Sequence, residues 1–384
     1  MNLLDAQDLK EIVNNMRKVL VEGTALLLAS LVFISLLSEL GLRGFYYFTE
    51  GNAGSLEEQL KRSQNLPAEN IGTTDSLRGL IKPSSFSDIV YELRPNLSGV
   101  FLKKAIATNS FGMRDREYPF TKAENTFRVV GLGDSVMFGW GVEEHESYLA
   151  RIEESLNQGS AQSKKVEILN FAVPGYNTAM EVATFENRAL LFKPDLVIMH
   201  FVNNDWGVPY FMEQPRDLFS LSRSYLWELV AERARLLLKG TTGAKGLVNA
   251  DKNSLSREEK QEVAAQYRPM LGRGGFEKAL HRLAALSKPA GIPVIVVVGS
   301  GSAEQKDALQ KVGVEQLGFK LVRVGPNVEE YFKNLGRPIT KRERRQLLTV
   351  SPQDSHPNAL GHELYRRALL PVVQEALVSA SIKP

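Results

Sequence analysis

Between Thr126 and Gly325 the chain carries five short runs in which apolar residues follow one another with little alternation. They are TFRVVGL (Thr126 to Leu132), VEILNFAV (Val166 to Val173), DLVIMHFV (Asp195 to Val202), IPVIVVVG (Ile292 to Gly299) and FKLVRVG (Phe319 to Gly325). Runs of this length, rich in Val and Ile, predict strands buried on both faces, as in a parallel sheet. Helix-period stretches separate them, over Glu146 to Leu156, Thr178 to Leu191, Gly275 to Leu286 and Ala303 to Leu317. A last helix is expected over Asn358 to Ser379, with Pro371 bending or splitting it. This alternation predicts an α/β domain, a three-layer α/β/α sandwich around a five-stranded parallel sheet with right-handed crossovers.

The N-terminus shows a different pattern. VLVEGTALLLASLVFISLLSELGL (Val19 to Leu42) is apolar on every face, with Glu22 and Glu39 near its ends. As a helix it would extend about 36 Å, more than the roughly 30 Å of a bilayer core. No Ala-x-Ala cleavage site follows it, so residues 19–42 read as an uncleaved transmembrane anchor rather than a signal peptide. Lys10, Arg17 and Lys18 precede it and only Arg43 closely follows. That bias places residues 1–18 in the cytoplasm and the bulk of the chain beyond a cytoplasmic (inner) membrane crossed once. Residues 43–88, polar and rich in Gly, Ser, Asn and Pro, read as a stalk with one short helix around Ser55 to Ser63. The folded domain is expected over residues 89–384. About ninety residues, Asn203 to Gly291, separate its third and fourth strands and must carry structure of their own. Two amphipathic patterns there predict a helical insertion at about 207–280, a cap or a partner-docking element.

Composition narrows the chemistry. The 384 residues are 43% hydrophobic and 24% charged, as in a globular protein, with a net charge of +3. No dense Lys/Arg stripe interleaves with aromatics, so nucleic acid is not an expected partner. There is no cysteine, which removes disulfides and thiolate chemistry. No pattern of His and carboxylates suggests a metal site, and no cofactor is expected. The five histidines are His145, His200, His281, His356 and His362. His145 and His362 are expected to face solvent from helices, His200 to be a satisfied core residue and His281 an ordinary helix residue. TKRERRQ (Thr340 to Gln346) reads as a solvated face, with recognition of an anionic substrate or lipid headgroups as its functional alternative.

Ligands of an open parallel sheet bind beyond the carboxyl ends of its strands. Polar groups able to perform nucleophilic catalysis gather in those places. GDS, with Ser135, follows the first strand; PGYN, with Gly175, follows the second; NND, with Asn203 and Asn204, follows the third; and SPQDSHPNALGH, with Asp354 and His356, follows the fifth and precedes the last helix. A serine hydroxyl needs a base, which His356 can supply, and Asp354 can fix the imidazole tautomer. The backbone N–H groups of Ser135 and Gly175 and the amide of Asn204 can receive an oxyanion. Asp134 is expected to order the serine loop.

These blocks, GDSVMFGWGV, NFAVPGYNT, NND and DSHPNALGH, resemble in order and context those of the SGNH, or GDSL-type, serine hydrolases, over roughly Thr126 to Ala380. The resemblance implies a flavodoxin-like SGNH fold, Ser135 as nucleophile, an oxyanion hole of Ser135, Gly175 and Asn204, and a triad completed by Asp354 and His356. Only Ser355 separates Asp354 from His356, where the commonest form has two residues. The third block lacks the glycine often found two residues before its Asn, which leaves Asn203 as the alternative to Asn204. By resemblance to anchored members associated with bacterial cell-surface polysaccharides, an extracytoplasmic esterase is expected. It would act through an acyl-Ser135 intermediate and remove O-acetyl or other short acyl groups from a glycan. The alternatives are an O-acyltransferase working with a multi-pass membrane acyltransferase and a non-enzymatic anchored scaffold.

Overall fold

The computed structural model describes residues 6–50, 68–158, 164–207, 224–227, 229–230 and 265–382. They belong to two units, one of Met1–Ala53 with Pro215–Gly240 and one of Gly54–Gln214 with Thr241–Pro384. The short helix expected around Ser55 to Ser63 and most of the 207–280 insertion lie outside the described residues.

In the first unit a single helix, α1 (Ala6–Glu50), contains the apolar stretch Met16–Gly44, which is long and apolar enough to cross a membrane. The helix therefore runs past the expected span on both sides and takes up the first residues assigned to the stalk. Its polar groups are satisfied locally. The hydroxyls of Thr24, Ser30 and Ser35 each donate to the carbonyl four residues earlier at 2.8 Å, which suits an apolar surrounding. Glu39, the acidic residue near the end of the span, accepts from Arg43 Nε at 2.9 Å, from the N–H groups of Tyr225 and Leu226 at 3.0 and 2.8 Å, and from Ser224 Oγ at 3.0 Å. Its carboxylate thus caps the start of a helical turn in the insertion.

The second unit begins with short strands: β1 (Glu69–Thr74), β2 (Ile81–Pro83), β3 (Tyr91–Leu93), β4 (Leu97–Phe101) and β5 (Lys104–Ala107). β1, β4 and β5 form one small sheet, and β2 pairs with β3. Residues 69–88 are therefore part of the folded unit rather than of a stalk. The domain begins about twenty residues earlier than the sequence pattern suggests.

The main sheet comprises β6 (Thr126–Leu132), β7 (Lys165–Asn170), β8 (Leu196–Phe201), β9 (Val294–Val298) and β10 (Lys320–Arg323). Its order is β10-β9-β8-β6-β7 and every pair is parallel. Counted from β6, this is the doubly wound order 2-1-3-4-5 of the expected flavodoxin-like fold. Alternate residues of the central strands enter opposite cores. Val129, Ile198 and Val297 belong to one, and Val130, Met199 and Val296 to the other. Both faces are dry, which explains the unbroken apolar runs. Arg128 is tolerated inside β6 because it donates to Glu167 of β7 at 2.7 and 3.0 Å and to the Phe192 carbonyl at 2.8 Å.

Eight helices are described in this unit: α2 (Ser135–Phe138), α3 (Tyr148–Asn157), α4 (Thr178–Asn187), α5 (Gly272–Ser287), α6 (Ala303–Ala308, continued by a π-helical stretch Leu309–Gln316), α7 (Gly325–Asn334), α8 (Lys341–Leu348) and α9 (Ala359–Ile382). Ile152 and Leu156 of α3 pack with Leu369 and Val373 of α9 on one face of the sheet. Phe185 of α4, Phe276 and Leu280 of α5 and Leu309 pack on the other. Two expectations need correction. The insertion cannot reach residue 280, because α5, beginning at Gly272, is the crossover helix that covers the sheet before β9. The last helix passes through Pro371 as one element instead of splitting.

Candidate active site

Ser135 is presented by the turn that follows β6. Gly133 sits where a Cβ would lie 2.7 Å from the Cβ of Met137 and 3.2 Å from that of His200, so the close packing under the turn requires its bare backbone. Asp134 caps α2 by accepting from the Val136 N–H at 3.0 Å, and Gly139, in the left-handed region at φ 85°, ends the helix. Buried Arg114 collects the carbonyls around this turn. It donates to Gly139 at 2.6 Å, Val142 at 2.8 Å and Phe138 at 3.2 Å, and reaches Ala105 of β5 at 3.2 Å. Burial pulls its guanidinium down to about 10, against the pull of Glu144 and Glu143.

His356 and Asp354 stand on a hairpin between α8 and α9, closed by a bridge from Thr349 to Pro357 and by a bond from the Val350 N–H to the His356 carbonyl at 2.9 Å. The tip is a turn in which the N–H groups of Ser351 and Asp354 reach each other's carbonyls at 3.3 and 3.2 Å. This geometry brings the predicted groups into one line. His356 Nε2 lies 2.8 Å from Ser135 Oγ, and His356 Nδ1 lies 2.6 Å from Asp354 Oδ1. With Nδ1–H donated to the carboxylate, Nε2 is left as an acceptor for the hydroxyl proton. The single residue between Asp354 and His356 does not prevent contact, because Asp354 Oδ1 also accepts the His356 backbone N–H at 3.0 Å and folds back over it.

Trp140, which the sequence reading passed over, holds both members of this pair. Its Nε1–H donates to Asp354 Oδ2 at 3.0 Å, and its ring stacks on His356 with centroids 5.1 Å apart and planes at 27°. Phe101 of β4 packs against the indole in a T-shaped contact with centroids 4.9 Å apart. Burial pushes the Asp354 carboxyl up, but the hydrogen bonds and charge of His356, with the Trp140 N–H, outweigh it, so its pKa lies below the ordinary carboxylate value. Asp354 is therefore an anion at neutral pH.

The second and third blocks close on the same edge. The Val173 N–H donates to the Gly133 carbonyl at 3.0 Å, which lays the loop after β7 beside the serine turn. Gly175, two residues on, has φ 80°, a conformation that side chains disfavour. Tyr91 of β3 pins this loop through a bond to the Pro174 carbonyl at 2.9 Å. Asn177 caps α4 and donates to the Gly207 carbonyl at 3.0 Å, joining the loop to the one after β8. There the two asparagines part. Asn203 turns toward Ser300, whose Oγ accepts its N–H at 3.1 Å and donates to its side chain at 3.2 Å. The Asn204 side chain lies near Asp134, beside the serine, and helps hold that carboxyl's pKa down against burial. The geometry thus favours Asn204 over Asn203 at the site.

Beneath the serine lie three buried carboxyls, Asp134, Glu181 of α4 and Asp205. Desolvation pushes all three up, reinforced by their mutual repulsion in Glu181 and Asp205. This bears on Ser135, which has one hydroxyl proton and two neighbours, His356 Nε2 and, at 3.2 Å, Asp134 Oδ2. The Asp134 carboxylate oxygen accepts at the longer of these two distances, and His356 Nε2 is the nearer acceptor for the hydroxyl proton.

The other histidines divide. His145 is exposed as expected, and His281 is an exposed residue of α5. His200 is buried in β8, with Nδ1 2.9 Å from the Tyr148 hydroxyl, and burial pulls its pKa down to about 3. His362 is not at the surface: it is fully buried, accepts the Tyr148 N–H at 3.2 Å and is also pulled down to about 3. It occupies the inward stripe of α9 that continues at Leu369 and Val373, seven and eleven residues on.

An α/β sheet with a serine–imidazole–carboxylate line at its carboxyl edge defines a serine hydrolase. Residues 132–364 match the model of the GDSL-like Lipase/Acylhydrolase family, and the chain belongs to that family. It is a serine esterase of the GDSL, or SGNH, class. None of the curated proteins compared matches it. Solved structures similar to it include LAE5, an alpha/beta hydrolase enzyme from the metagenome of Lake Arreo, Spain, at 16% identity over 67% of this chain and 97% of that one, TM-score 0.38. Another is a catalytic mutant of Axe2, an acetylxylan esterase from Geobacillus stearothermophilus, at 15% identity over 65% and 95%, TM-score 0.36. A third is a two-domain esterase active on acetylated mannans, at 14% identity over 66% and 50%, TM-score 0.39.

Proposed function

We propose that Ser135, His356 and Asp354 are the catalytic triad of this esterase and that it removes short acyl groups from a glycan outside the cytoplasmic membrane. His356 Nε2 takes the hydroxyl proton as Ser135 Oγ bonds to the ester carbonyl carbon. The oxyanion that forms is received by the N–H groups of Ser135 and Gly175 and by the Asn204 amide. Collapse breaks the bond to the alcohol oxygen, which leaves with the proton from His356, and the acyl group stays on Ser135. Water then attacks the acyl carbon and gives a proton to His356; the bond to Ser135 Oγ breaks as His356 returns that proton to it, and the carboxylic acid departs. Asp354 stabilises the imidazolium throughout.

The observation that carries this reading is the continuous line from Ser135 Oγ to Asp354, with links of 2.8 and 2.6 Å. The side chains of His356 and Asp354 are 26% and 25% exposed, so an ester borne on a bulky polymer can reach them. The resemblance to anchored, polysaccharide-associated SGNH members supports a glycan as that polymer. The apolar helix and the excess of Lys and Arg before it support an N-terminus in the cytoplasm and an extracytoplasmic catalytic unit.

A fluorophosphonate probe tests the triad: an adduct on Ser135, located by mass spectrometry, is expected. No adduct would leave the scaffold reading in its place. Incubation with an O-acetylated glycan and a non-acetylated acceptor tests the outcome. Free acetate is expected, and acetyl groups appearing on the acceptor would make the protein a transferase.

A further inference from the structure

Beside the catalytic hairpin lies a cleft of about 520 Å³ lined by Lys341, Arg342, Arg345 and Gln346 of α8 and by Pro352 and Gln353 at the hairpin tip. Its volume is that of a small-molecule site. Its charge is one-sided. The neighbouring arginines are consumed by the fold: Arg337 pairs with Glu343 at 3.0 Å, and Arg344 pairs with Glu329 while covering the Phe332 ring. Lys341, Arg342 and Arg345 have no ion pair among the described residues. All three are exposed, and no residue of α8 is buried.

Such an arrangement does little for the fold. Lys341 and Arg345 stand four apart on the helix, where like charges repel. A helix concerned only with solubility would intersperse signs. Instead three cations line a concavity whose other wall, Pro352 and Gln353, belongs to the hairpin that carries Asp354 and His356. Gln353 adjoins Asp354, and at most about 11 Å of extended chain separates it from His356. The cleft is lined by side chains with long aliphatic stems and charged ends, beside the ring of Pro352, a mixture that suits the faces and substituents of a sugar ring.

We infer that this cleft is a subsite for a carboxylated glycan, in which uronate carboxylates pair with Lys341, Arg342 and Arg345 while a nearby acylated sugar of the same chain reaches Ser135. The inference rests on the esterase reading and names its substrate class. Arginine suits the task, since its planar fork takes a carboxylate through two parallel hydrogen bonds. Because each exposed pair is weak and screened by salt, affinity must come from several carboxylates at once and fall with ionic strength.

The test uses the full chain in detergent micelles. Binding of a non-acetylated oligogalacturonate to a Ser135→Ala variant is measured by calorimetry, beside the same variant carrying Arg342→Glu and Arg345→Glu. The added substitutions are expected to weaken binding at least tenfold, and binding by the parent is expected to fall steeply between low and high salt. A neutral xylo-oligosaccharide should show no such difference. Equal affinity for oligogalacturonate with and without the substitutions, or no binding by the parent, overturns the subsite. So does loss of binding to glycerophosphoglycerol with uronate binding unchanged, which would make the cleft a lipid-headgroup site. Failure of the esterase reading is recorded separately, by absence of fluorophosphonate labelling in the wild-type chain. Labelling and melting temperature of the Arg342→Glu, Arg345→Glu protein with Ser135 intact should match the wild type, which excludes misfolding as the cause.

Discussion

Trp140 donates its indole N–H to Asp354 and lays its ring against His356, so one side chain holds both the carboxylate and the imidazole beside Ser135. Trp140→Phe keeps a ring in the stack and deletes the donor. A hydrogen bond to a charged acceptor is worth about 1.5–3 kcal/mol, and roughly 1.4 kcal/mol is tenfold in rate. A fall in kcat of about tenfold or more with KM little changed is expected in steady-state hydrolysis of p-nitrophenyl acetate. An unchanged kcat would show that the hairpin holds Asp354 without help.

Removal of Ser135 or His356 is expected to be far more costly. Ser135→Ala and His356→Ala should each lower kcat by about 10⁴-fold or more, and Asp354→Asn by a similar order, since the wrong tautomer then faces the serine. Because the three act as a unit, the double variant Ser135→Ala, His356→Ala should be little worse than either single one. Additive losses would argue for separate roles.

The two asparagines after β8 give a sharper comparison. Asn204 lies by Asp134 and Asn203 by Ser300. Asn204→Ala should cost about 10²–10³ in kcat, the usual loss for one oxyanion donor. Asn203→Ala should leave kcat within a few-fold of wild type, and the reverse ranking would exchange their roles.

Arg114 supports the turn from below rather than the reaction itself. Arg114→Met leaves the carbonyls of Phe138, Gly139 and Val142 without their donor in a buried place. Each buried carbonyl left without a partner costs about 1–3 kcal/mol. Urea unfolding should therefore show a lower midpoint with an unchanged slope.

Glu181 links stability to pH. Neither carboxyl oxygen has a hydrogen-bond partner among the described residues, and its folded pKa is raised well above 4.5 by desolvation and by Asp205 and Asp134. The folded state thus holds this proton more tightly than the unfolded one, so stability falls as pH rises from the ordinary carboxylate range toward the folded pKa. Glu181→Gln cannot lose that proton. Its melting temperature should match wild type near about pH 4 and exceed it at about pH 8. Parallel melting curves across that range would refute the assignment.

Much of the main sheet was legible because burial on both faces writes itself into sequence as unbroken Val and Ile runs. β6 and β8 fall within a residue or two of their apolar stretches. The serine, glycine, asparagine and histidine blocks were legible because the carboxyl edge of a parallel sheet gathers whatever follows its strands. β1 to β5 were not, since strands of only three to six residues are too short to show a period. α8 escaped for a related reason: with no buried residue it has no apolar stripe. His362 was misread because one histidine on a helix does not announce which stripe it occupies, and only packing against Tyr148 decides. Trp140 was missed because its partner Asp354 is 214 residues away, and no local pattern encodes so distant a bond.

The hairpin from Thr349 to Pro357 carries the imidazole and the carboxylate of the proposed triad on one nine-residue piece of chain, while the hydroxyl and the amide donors proposed for the site follow the ends of three strands. The machinery therefore comes in two halves with a single seam. Unseating the hairpin disarms the chemistry in one stroke yet leaves the strand-borne half intact. On the proposed triad, a working esterase and an inert binder of the same ester would differ by how firmly one short loop is latched to an indole.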